Sequence, residues 1–188
     1  MKRYPKFIEI NGEKLTINTC FRNGLKCDEI AKKTDTGDAE KALAIVYTLL
    51  GEKGLRMAVN EPKVFDLCVK YLNCGKDPQE INNDEEEISM DLEQDETYIK
   101  ASFMSDYGID LNNSDMHWYQ FIELMNGLTD KCILNRVRSI REEPLNDKKG
   151  EQFDRWMKAK NAVALKRIKT PEEIEIDKQW ENMLKRKE

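Results

Sequence analysis

Apolar and polar positions alternate with a period of two only near the amino terminus, in Phe7-Ile8-Glu9-Ile10 and Leu15-Thr16-Ile17. Between these runs lies Asn11-Gly12, two residues that tolerate the positive φ of a type I′ turn. The pattern therefore predicts a β-hairpin that pairs Ile10 with Glu13 and Ile8 with Leu15. A lone two-stranded ribbon is marginal in water, so the face carrying Ile8 and Leu15 must be covered by something else.

Beyond the hairpin the apolar positions recur at helical spacing. Thr19 can cap a helix over 19–30. Asp38 can cap one over 38–50, with Leu43, Val46, Tyr47 and Leu50 inward. A third spans 61–73 with Val64, Leu67, Cys68, Tyr71 and Leu72 on one face, and Gly75 stops it. A fourth covers 91–107, turning Ile99, Phe103 and Tyr107 inward and ending at Gly108. Ser114 can cap the next, in which Trp118, Phe121, Ile122 and Met125 fall at i, i+3, i+4 and i+7 before Gly127. Thr129 can cap a helix carrying Ile133, Leu134, Val137 and Ile140, closed ahead of Pro144. Residues 150–169 are amphipathic through Phe153, Trp156, Met157, Val163 and Ile168. Thr170-Pro171-Glu172-Glu173 then restarts a helix whose thin stripe is Ile176, Trp180, Met183 and Leu184.

The fold class expected from this pattern is mainly α: an N-terminal β-hairpin packed on a helical bundle, with an acidic linker and a C-terminal helical extension. Its units are a hairpin with helices (1–76), the linker (77–96), a helical body (91–145) and a basic, charged helical tail (146–188). The linker assignment comes from charge. Residues 77–96 hold ten acidic side chains and no Lys or Arg, a density that keeps a chain solvated and self-repelling. Charge also divides the halves. Residues 131–188 carry 16 Lys and Arg against 11 Asp and Glu, while the whole chain of 188 residues has a net charge of −5. The acidic run and the basic tail of neighbouring copies could attract each other, so self-association that weakens in salt is expected.

Candidate chemistry is sparse. A single histidine, His117, and five scattered cysteines without a C-x-x-C spacing give no metal or cofactor constellation, and the cysteines read as reduced core thiols. Neither G-x-x-x-x-G-K-[ST] nor G-x-G-x-x-G occurs around Gly24, Gly51 or Gly54, which removes the phosphate-loop reading. The expectation is a binding protein, not an enzyme. No apolar run reaches the length of a membrane span, and Met1-Lys2-Arg3-Tyr4-Pro5 lacks the apolar core of a secretion signal, so an intracellular place is expected. The candidate protein-binding residues are Trp118, Tyr119, Phe121, Ile122 and Met125 in the body, and Trp156, Trp180 and Leu184 in the tail. The body residues have a competing reading as core. Nucleic acid is not the partner expected for a chain of pI near 5.2, in spite of eight basic residues between Lys148 and Lys169.

The segment Tyr98-Ile99-Lys100-Ala101-Ser102-Phe103-Met104-Ser105-Asp106-Tyr107-Gly108-Ile109-Asp110-Leu111, with His117-Trp118-Tyr119-Gln120-Phe121 and Met125-Asn126-Gly127-Leu128, resembles the signature block of the bacteriophage gene-product-fifteen family. Ile10-Asn11-Gly12, Ile17-Asn18-Thr19, Phe21-Arg22 and Cys74-Gly75-Lys76 are similar to that family's amino-terminal pattern. Tyr119 departs from it, since the family often has a second tryptophan there. The resemblance covers about residues 7 to 145, and the tail beyond Pro144 lies outside it. It implies a tail assembly chaperone of long-tailed phages and prophages of Gram-positive bacteria. Such a protein acts in the host cytoplasm, keeps the apolar, helical tape measure protein soluble and recruits major tail tube subunits. Two rival readings are a permanent tail-tip or neck component of the virion and a nucleic-acid-binding regulator.

Overall fold

The computed structural model describes residues 3–77 and 89–166. Strands β1 (Phe7–Ile10) and β2 (Glu13–Thr16) pair antiparallel in the expected register, Ile8 opposite Leu15 and Ile10 opposite Glu13. Asn11 (φ 51°) and Gly12 (φ 77°) both take the positive φ that the turn demands. Ile10, Leu15 and Ile17 are buried, and β2 packs against a helix that follows, which supplies the missing cover.

Among the described residues seven helices succeed the hairpin: α1 (Phe21–Lys32), α2 (Asp38–Ala58), α3 (Lys63–Leu72), α4 (Glu96–Tyr107), α5 (Trp118–Asn126), α6 (Ile133–Glu142) and α7 (Glu151–Val163). The protein is mainly helical with an N-terminal hairpin, the architecture the spacing predicts. Several local expectations are corrected. α2 runs on to Ala58 after a break at Gly51, whose φ of 65° and ψ of −161° are open in practice only to glycine. The carbonyls of Thr48 and Leu49, just ahead of the break, accept donors from outside the helix. Asn18 takes both, its side-chain amide donating to Thr48 O at 3.0 Å and its N–H to Leu49 O at 2.7 Å. The hairpin exit is thereby fixed to the kink.

The caps also differ. In place of Thr19, Ser114 and Thr129, the residues at the helix starts are Cys20, His117 and Cys132. Ser114 Oγ instead donates to Asp110 O at 2.6 Å, and the Thr129 N–H and hydroxyl both donate to Asp106 Oδ2, at 2.8 and 2.9 Å. Those threonine and serine groups are consumed by the loops that enter the helices.

The two halves share one core, where the sequence suggests two bodies on a connector. Phe121 of α5 stacks on Phe21 of α1 at 5.0 Å and on Phe103 of α4 at 5.3 Å between ring centroids. Backbone bonds run from Phe21 N–H to Met116 O at 3.0 Å and from Trp118 N–H to Thr19 O at 2.8 Å. Trp118 Nε1 donates to Leu72 O at 2.9 Å. Gly24 allows this approach, because a Cβ there would sit 2.2 Å from the Trp118 ring.

The acidic run is corrected at its carboxyl end. Residues 78–88 lie outside the described residues, but Asp91 and Asp95 are buried. Asp95 meets Arg141 of α6 in a two-pronged ion pair, 2.7 Å at each prong, and accepts the Asp91 N–H at 3.0 Å. Asp91 accepts the N–H groups of Glu93 and Gln94 at 3.0 and 2.8 Å and the Lys32 ammonium at 2.7 Å. These carboxylates bind the turn ahead of α4 and are not part of a solvated strip.

Burial alone would raise the Asp91 carboxyl, but the Gln94 N–H and Lys32 outweigh it and hold the group below the usual carboxylate range. A depressed native pKa stabilises the fold above the unfolded value near 3.9 and loses that contribution as pH falls through the native value. Acid unfolding of Asp91→Asn is therefore expected to be less steep below about pH 4 than that of the parent chain. Urea midpoints from pH 6 down to pH 3 measure this, and parallel curves would show that Asp91 contributes nothing to acid sensitivity.

Candidate partner-binding surface

α5 is positioned by its first residues. His117 Nδ1 accepts the Tyr119 N–H at 3.0 Å and closes the helix start, while Nε2 lies 2.8 Å from Pro5 O. An Nδ1 that accepts leaves Nε2 to carry the proton and donate, so the ring ties the segment ahead of β1 to α5. Tyr119 is half-buried in an aromatic group, 5.2 Å from Tyr71 and 5.3 Å from His117 between ring centroids. Burial pushes its hydroxyl up to about 12.

Three of the candidate binding residues are core. Phe121 is 0% exposed, and Trp118 and Met125 are buried with it. Ile122 is half-buried and packs on the same core. Spacing at i, i+3, i+4 and i+7 fits both a core stripe and a docking stripe; here α1 and α4 cover it from either side. Trp156 on α7 is half-buried, with Lys148 Nζ 5.7 Å from its ring centre. Trp180 and Leu184 lie outside the described residues.

Tyr71, buried beneath Tyr119, carries a hydroxyl with no hydrogen-bond partner among the described residues. Burial pushes its pKa up. An unpaired buried hydroxyl costs desolvation without return. Tyr71→Phe is therefore expected to stabilise the protein by about 1 kcal/mol, or about 2 to 4 °C in Tm. A loss of similar size in thermal unfolding would reveal a partner for that oxygen.

An exposed pair of large apolar side chains lies on α2. Between Ala42 and Leu50 of α2 the single hydrophilic side chain is Thr48. Ile45, Val46, Leu49 and Leu50 are buried, whereas Leu43 and Tyr47, expected inward, are 43% and 54% exposed. The core takes one face and leaves these two, one turn apart, pointing outward with the exposed Ala39. Sequence reasoning misplaced them because it drew a single stripe through a run apolar nearly all round. That excess was itself the signal, since a helix of this kind is normally buried on every side.

Among the described residues no group of three His, Cys, Asp or Glu side chains is arranged to hold a metal ion, and no helix is long and apolar enough to cross a membrane. Burial pushes the thiols of Cys27 and Cys68 up to about 12, so both are neutral and unreactive at physiological pH. The molecule is thus a mainly helical protein with an exposed apolar helix face among its described residues, and its sequence places it among bacteriophage proteins. Residues 2–165 match the family described as Bacteriophage Gp15 protein, and the chain belongs to that family. No curated protein and no solved structure matches it.

Proposed function

We propose that this protein is a phage tail assembly chaperone of the host cytoplasm, acting by binding and not by catalysis. It keeps the tape measure protein soluble and recruits major tail tube subunits to it. The observation that carries the reading is the outward face of α2. Leu43 and Tyr47 offer apolar surface on a helix already anchored by its opposite face, and an amphipathic client helix can lay its own apolar stripe there. Family membership supports the phage setting. The net charge of −5 would help hold a complex with an apolar client in solution.

The test is co-expression with the tape measure protein of the same phage, followed by affinity capture and mass measurement. Several copies should be retained on each client molecule, and the client should be insoluble without them. Leu43→Glu with Tyr47→Glu should leave the circular dichroism unchanged, since both side chains are exposed, and should return the client to the pellet. A client that stays soluble with this variant would move the binding face off α2. Recovery of the protein from purified mature particles would instead mark a permanent virion component.

A further inference from the structure

The hairpin offers a second surface, distinct from the face on α2. Ile10 lies opposite Glu13 across the two-residue turn, and the Ile17 N–H donates to Lys6 O at 2.9 Å, so the even-numbered residues of β1 exchange backbone bonds with β2. Phe7 and Glu9 therefore turn their N–H and C=O groups the other way. Among the described residues no hydrogen bond reaches those four groups, and both residues are exposed, Phe7 at 53%. An edge left open in this way is a template for a further strand. Lysine, proline or a bulge would keep it from pairing, and Phe7–Ile10 carries none of them. There is also room beside it. A groove of about 890 Å³ lies between Glu9, Ile10 and Asn11 on one side and α3 on the other, where Phe65, Asp66 and Val69 line it.

Charge selects the occupant. Two copies of this strand can pair antiparallel about a two-fold axis, and the backbone directions leave three registers to choose from. With Glu9 opposite Glu9 of the second copy, like charges collide. With Phe7 opposite Phe7 of the second copy, the place facing Glu9 falls to Pro5, which has no N–H to give. The register centred on Ile8 has neither fault. It sets Phe7 opposite Glu9 of the second copy and Glu9 opposite its Phe7, so that all four outward groups of each chain are bonded. Within one hairpin the Lys14 ammonium lies 5.2 Å from the centre of the Phe7 ring. The same register therefore brings Lys14 of the second copy to Glu9, twice about the axis. Lys6, exposed and on the Ile10 face by the two-residue period, comes opposite Ile10 of the second copy and enters its groove toward Asp66. The two Phe7 rings become diagonal neighbours, a spacing that aromatic side chains bridge.

We propose that the β1 edge is a contact between two copies of this chain, joined antiparallel about Ile8 into one four-stranded sheet. Nothing in this depends on the chaperone reading.

Sedimentation of the purified full chain tests it. The parent should pass from monomer to dimer as its concentration rises. Glu9→Lys and Lys14→Glu should each weaken that dimer about 30-fold, because two attractive cross-strand pairs become repulsive. Either change also puts like charges opposite each other within its own hairpin, where Glu9 faces Lys14. Mixing the two variants separates these effects: in a mixed dimer both interface pairs are attractive again, whereas each hairpin keeps its internal repulsion. An equimolar mixture should therefore dimerise where neither variant does alone. A mixture as monomeric as its components would overturn the proposal, and so would a dimer that neither variant weakens. A parent chain that stays monomeric up to its solubility limit would leave the edge to a strand of another protein and overturn it as well.

Discussion

Arg141→Met is expected to remove about 3 to 5 kcal/mol of stability, the cost of leaving one member of a buried ion pair unpaired. The Arg141 and Asp95 side chains are 10% and 1% exposed. Arg141 also donates to Ser89 O at 2.9 Å and through Nε to Val163 O at 2.6 Å, so one guanidinium on α6 joins the start of α4, the segment before it and the end of α7. Against the 5 to 15 kcal/mol typical of a whole domain, the loss is large. Asp95→Leu should cost a comparable amount, because the guanidinium is then buried without its counter-charge. The double variant should cost about 2 kcal/mol less than the sum of the singles, since neither charge is left stranded. Urea unfolding of all four proteins closes this cycle. Additive losses, or a single-variant cost below about 1 kcal/mol, would show that water already relaxes the site.

That pair was invisible in the sequence for a physical reason. The acidic run offers ten carboxylates of similar local context, and only the fold brings Arg141 to Asp95, 46 positions away. Local patterns carried what local physics decides. Asn11-Gly12 set the hairpin register, and Gly108 ends α4 in the left-handed conformation, φ 66°. Where a side chain had several competing partners, spacing could not choose, and so the helix-start positions expected of Thr19, Ser114 and Thr129 went to Cys20, His117 and Cys132, of which His117 and Cys132 accept an N–H with the side chain. The proposed partner surface was legible only as an excess. The run from Ala42 to Leu50 carried more apolar residues than one buried face needs, but which of them turn outward depends on where α1, α3 and β2 pack.

The same ambiguity between core and docking stripe makes Phe121→Ala the most informative single change. Phe121 is stacked on Phe21, Phe103 and Trp118 at 5.0, 5.3 and 5.7 Å, and it joins α1, α4 and α5. Truncating a fully buried phenylalanine costs about 3 to 5 kcal/mol through lost transfer energy and the cavity left behind. The ring stacking adds to this, at about 0.5 to 1.5 kcal/mol per pair. The variant should therefore lose its cooperative transition or show a midpoint far below that of the parent. Leu43→Glu with Tyr47→Glu should unfold close to the parent, because neither side chain is part of the core. The contrast separates two kinds of apolar residue that look alike in the sequence: one holds the halves together, the other stays exposed. If Phe121→Ala unfolded like the parent, the shared core between α1, α4 and α5 would be wrong. If the α2 variant lost several kcal/mol, Leu43 and Tyr47 would be packing residues, and the proposed client face would have to lie elsewhere.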